Sequence, residues 1–225
     1  MISRAMKRLE SYWETDRSLS VFLAVLLVVV FVVYPLRREA MLNELVLSAI
    51  YSAVLFSGVV AVSRRRRYRV IAGTVAVATL VFRWAGNFYP TKTVLVISAA
   101  LTMVFLAMMA AVVLAQVFRE GPITVHRVVG AVAVYVLLGI VWAEGYQLVS
   151  LLTSGAFVSS AGTAVGQPDL TYFSFVTLTT VGYGDITAVN SVARSMALLE
   201  ALTGQLYPAI LIARLVSMHV ATRRE

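Results

Sequence analysis

The stretch PDLTYFSFVTLTTVGYGD, from Pro168 to Asp185, decides how the rest of the chain is read. Pro168-Asp169 is a helix start, with Asp169 as the expected N-cap. Leu170 to Thr179 is apolar enough to enter a membrane, yet as a helix it is only about 15 Å long, half a bilayer. A helix that short must return to the face it came from. Its irregular continuation is tolerated only where protein buries it or water meets it. No charged side chain occurs between Leu170 and Tyr183, and Gly182 and Gly184 then alternate with bulkier residues.

Outward from this stretch the chain is a membrane protein by composition. Of 225 residues, 60% are hydrophobic and 13% charged; the mean hydropathy is +0.86. A soluble domain usually holds about 45–50% apolar residues. Apolar runs extend from Leu19 to Pro35, Leu42 to Val62, Val70 to Phe88, Thr93 to Phe118, Val128 to Val149 and Val192 to His219, so six crossings are expected. The third is the weakest, because Arg83 inside it needs a partner or a route to the interface. Met1 to Ser18 carries apolar residues at helical spacing and fits an interfacial helix or a solvated tail.

The net charge of +8 lies between apolar runs, not along one helix face, which argues against nucleic acid as a partner. Thirteen Lys and Arg fall on the flanks that include both termini and the run 64–69, against five on the opposite flanks. The heavier side is expected to be cytoplasmic, with both termini inside. The consecutive arginines of that run read as an anchor to anionic lipid. The absence of cysteine excludes disulfides and thiolate chemistry. His126 and His219 are isolated and read as cap or interface groups, so no catalytic or metal-binding constellation is expected.

The seven residues Thr179-Thr180-Val181-Gly182-Tyr183-Gly184-Asp185 resemble the potassium-channel signature. The resemblance is close from the fifth run through the sixth and only topological before that. It implies an all-α membrane protein: six transmembrane helices, a re-entrant pore helix and a selectivity filter, assembled as a homotetramer. The implied organisation is an N-terminal segment 1–18, a four-helix domain 19–120 and a pore domain 121–225. Thr180, Val181, Gly182 and Tyr183 would present carbonyl oxygens to K+, with Gly184 completing the filter and the Thr180 hydroxyl forming its innermost ring. Potassium is then cargo, and no cofactor is implied; the partners are further copies of the chain and membrane lipids, in the plasma membrane. Filter glycines supply positive φ at little steric cost, and four helix ends, each carrying about half a negative charge, would stabilise a cation at mid-membrane.

The pattern departs from its relatives in places. Many have two Trp on the pore helix; here Tyr172 and Phe173 stand there, and Val176 replaces a Glu that some prokaryotic relatives carry. Tyr172, Thr179 and Asp185 are the expected filter supports, with a Tyr172–Asp185 hydrogen bond. In the last run Gly204 is a candidate hinge or close-packing site, and Pro208 removes the bond to the Gly204 carbonyl. Glu200 and Gln205 either face the cavity or bond behind the pore helix; structural bonding is favoured for Glu200, because a buried carboxylate without a partner is costly. Glu144 reads as structural or interfacial. Thr93 to Phe118 carries no charge, so the voltage sensor of the six-span family is missing and weak voltage dependence is expected. A subunit of a potassium uptake transporter is the alternative. Such proteins usually carry several degenerate filter loops in a longer chain, whereas here there is one intact loop.

Overall fold

The computed structural model describes residues 20–33, 36, 44–61, 66–118 and 125–222. The N-terminal segment, Arg64 and Arg65, and the side chains of His126 and His219 lie outside these residues.

Helix α1 (Ser20–Val33) winds as a π-helix over Val29–Val33. It is followed by α2 (Glu44–Ala61), α3 (Arg66–Phe88), α4 (Lys92–Val117) and α5 (Val125–Leu152). Then come strand β1 (Phe157–Ser159), helix α6 (Gln167–Leu178), strand β2 (Ile186–Ala188) and helix α7 (Ser191–Thr222). Four helices are long and apolar enough to cross a membrane, over Val70–Phe88, Lys92–Val117, Arg127–Leu152 and Ser191–Arg214. The apolar helices Ser20–Val33 and Val46–Val59 are shorter. Of the six expected crossings, the described residues therefore give four of full length.

The first four helices share a core with the fifth. Phe22 and Leu26 of α1, Leu47 and Tyr51 of α2, Phe105 and Met109 of α4, and Leu137 and Ile140 of α5 are buried in one cluster. Arg83, the doubtful residue of the third run, is accommodated by an aromatic face: its guanidinium carbon lies 3.4 Å from the centroid of the Tyr51 ring. A cation over a ring is stabilised by about 0.5–2 kcal/mol, more where water is scarce. One turn away, Asn87 Nδ2 donates to Ser48 Oγ at 2.9 Å, joining α3 to α2.

Two details differ from the sequence-based expectation. The fold is not purely helical, because β1 and β2 pair antiparallel with Phe157 opposite Ala188 and Ser159 opposite Ile186. Phe157 and Val158 supply the β-forming side chains within an otherwise small and polar stretch. Helix α6 also starts earlier, with Gly166 as N-cap and Asp169 three residues inside. Asp169 still caps, in the reverse direction: its Oδ2 accepts from the Gly166 N–H at 2.9 Å, the returning half of a capping box.

Candidate ion-conduction site

Helix α6 ends where the backbone must change hand, and its last carbonyls are all used. Phe175 O accepts from Thr179 N at 3.0 Å, and Thr177 O from Thr180 N at 2.9 Å. Val176 O accepts from both Val181 N at 3.0 Å and Gly182 N at 3.3 Å. Leu178 O accepts from Tyr135 Oη of α5 at 3.3 Å. Helix ends normally leave such groups unsatisfied; here they clamp the start of the following segment.

That segment alternates in hand. Thr180 has φ 60°, Gly182 has φ 60° and Gly184 has φ 78°, whereas Val181 and Tyr183 are not among the positive-φ residues. In an extended strand successive carbonyls face opposite ways; alternating the sign of φ turns them toward one side. A Cβ on Gly182 or Gly184 would meet nothing within 4 Å, so glycine is required there for its dihedral and not for space. Thr180 is the surprise, since a β-branched residue in the left-handed region is a costly outlier that usually marks function. It is held from two sides, by the helix bond to Thr177 and by Gln205 Nε2, which donates to Thr180 Oγ1 at 3.0 Å. In the single chain the segment from Thr180 to Gly184 is open, with Tyr183 72% and Val181 52% exposed.

The supports are built around α6. Gly204 of α7 lies directly beneath it: a Cβ there would come within 1.8 Å of Leu178 O. Of the two readings of Gly204, close packing on the pore helix has direct geometric support. Pro208 sits inside a helix that runs unbroken from Ser191 to Thr222. Glu200 is buried and does not line an open surface of the chain: its Oε2 accepts from Tyr146 Oη, and Oε1 lies 2.5 Å from Ser174 Oγ. Glu144 Oε1 accepts from Gln167 Nε2 at 3.1 Å, tying the C-terminal part of α5 to the start of α6.

Phe173 cannot donate to the filter, and it does other work. Its ring meets Tyr146 edge-on at 5.1 Å and Phe157 at 5.5 Å, and those two meet each other at 5.4 Å. Edge-to-face pairs add about 0.5–1.5 kcal/mol each beyond their burial, and this trio pins α5, β1 and α6 together. Tyr172 lines an apolar groove with Thr179, Val181 and Tyr183 on the flank of the filter. Asp185 is tied to the end of β1 by its carbonyl, which accepts from Ser160 N at 2.8 Å. Ser174, Tyr135, Tyr146 and Phe157 were not singled out from the sequence. A lone serine in an apolar half-helix was the available signal for the first, and two bulky residues in a Gly/Ser/Thr run for the last.

Residues 146–221 match the family model described as an ion channel. Over that segment the chain is similar to ion channels. Residues outside it, including all of the first four helices, lie beyond that match. The chain is also similar to Protein LctB of Geobacillus stearothermophilus, at 36% identity over 85 residues, which is 36% of this chain and 61% of that protein. The chain thus spans less than two thirds of that relative's length. No solved structure matches.

Proposed function

We propose that the chain is one subunit of a homotetrameric potassium channel that conducts passively through the filter Thr180-Val181-Gly182-Tyr183-Gly184. The observation that carries the proposal is the positive φ at Thr180, Gly182 and Gly184. A potassium ion in a narrow pore must shed its water, and rings of backbone carbonyls from several copies replace that shell. Four copies around one axis supply the rings, and a closed cyclic assembly follows from one filter per chain. The exposed filter and the exposed Leu198, Leu202, Leu206 and Ile210 of α7 support an assembly that covers them.

In this reading both termini are cytoplasmic, the membrane is the plasma membrane, and lipids and further copies of the chain are the partners. Ion movement follows the electrochemical gradient without a catalytic step. Purified protein in liposomes should release potassium without an energy source or a coupled ion, and barium should block the release. Release that requires a co-transported ion would overturn the channel reading in favour of a transporter.

A further inference from the structure

Ser174 Oγ lies 2.6 Å from Gly139 O and 2.5 Å from Glu200 Oε1, while Tyr146 Oη lies 2.5 Å from Glu200 Oε2. Ser174, Tyr146 and Glu200 are each 0% exposed. A serine hydroxyl has one proton, a backbone carbonyl has none to give, and a carboxylate only accepts. With Glu200 ionised, the single Ser174 proton would have to serve two oxygens at full hydrogen-bond distance. A proton on Glu200 Oε1 resolves the count: Glu200 donates to Ser174, Ser174 donates to Gly139 O, and Tyr146 donates to Glu200 Oε2. Each proton then has one acceptor and each short distance one bond.

The surroundings agree with a neutral acid. Two phenols of α5 are set against Glu200: Tyr146 donates to it, and Tyr135 lies within reach of its charge. Helix α6 offers it Ser174, and among the described residues no Lys or Arg acts on it. The close approach is built in, because a Cβ on Gly139 would come within 2.7 Å of the Phe175 ring.

We propose that Glu200 is a positioning residue that acts as a neutral acid, locking the pore helix between the outer and inner helices, and that loss of its proton draws the Ser174 hydroxyl proton to the carboxylate, breaks the bond from Ser174 to Gly139 O that ties the pore helix to the outer helix, and lowers conduction. This rests on the ion-conduction reading above. The bridging form is the protonated one, so the lock is complete at low pH and is lost as the pH rises through the titration of Glu200. A glutamine mimics the neutral acid, since its amide N–H can donate to Ser174 and its carbonyl can accept from Tyr146.

The test uses the full chain as wild type, Glu200→Gln and Glu200→Ala. Infrared spectra at neutral pH should show a protonated-carboxyl carbonyl band in wild type that both variants lack. Potassium flux in liposomes should fall in wild type as the pH is raised and stay level in Glu200→Gln, while Glu200→Ala should lose flux at every pH. Thermal unfolding of the assembly should become alkali-sensitive in wild type and not in Glu200→Gln. The proposal is overturned if Glu200 absorbs as a carboxylate at neutral pH, if wild type and Glu200→Gln share one pH profile, or if Glu200→Gln behaves as Glu200→Ala. The infrared and unfolding measurements need no ion flux, so a failure of the conduction reading would leave them able to decide the protonation state.

Discussion

At the scale of single residues, Gly204 and Gln205 make the sharpest claims. Gly204→Ala places a methyl group against the Leu178 carbonyl, 1.8 Å away before relaxation. Overpacking costs about 1–3 kcal/mol, and here a backbone atom must move, at the foot of the filter. The variant should melt at a clearly lower temperature and lose potassium flux; an unchanged melting temperature would show that the inner helix is not seated there. Gln205→Leu removes the donor to Thr180 Oγ1. Because that hydroxyl belongs to the innermost ring in the proposed filter, barium block should weaken while the assembly persists, which dose–response in liposomes would measure. The positive φ of Gly182 and Gly184 was legible in the sequence, since few other residues tolerate it. That of Thr180 was not, because its side chain argues against the conformation and only the bonds to Thr177 and Gln205 hold it. The Glu200–Ser174 contact was half legible: a buried acid demands a partner, but the partner 26 positions away is chosen by how the helices meet.

At the scale of elements, α6 was legible in nature and misplaced at its start. Pro168-Asp169 announced the helix, but the N-cap is Gly166, because the Asp169 carboxylate reaches back to that N–H. Asp169→Ala should destabilise the assembly by about 0.5–1 kcal/mol, the range for a first-turn anion and cap bond, visible as a small fall in melting temperature with ion selectivity intact. The β1–β2 ribbon escaped the sequence because two three-residue strands give too short an alternation to register. Helix α4 makes a prediction of another kind. Lys92, its first residue, is its sole charge, and moving one charge across a membrane yields only about 2.3 kcal/mol per 100 mV. Planar-bilayer currents should therefore vary shallowly with voltage; steep activation equivalent to several elementary charges would contradict this.

At the scale of the whole molecule, the single chain is unfinished where the chemistry lies. The proposed filter is open, and α7 is the least buried of the four long helices at 11%, against 61% for α5. In the proposed tetramer three further copies enclose that side, and the first four helices surround the pore through their shared core with α5. The membrane class and the pore segment followed from hydropathy and one short motif, because bilayer thickness and cation dehydration leave few alternatives. Of the six crossings expected, the described residues give four of full length, because α1 and α2 are short within them. The most direct test is the reversal potential of the purified protein in a planar bilayer with potassium on one side and sodium on the other. The account predicts a potential close to the potassium equilibrium value; a potential near zero, with sodium carrying current as readily, would contradict it.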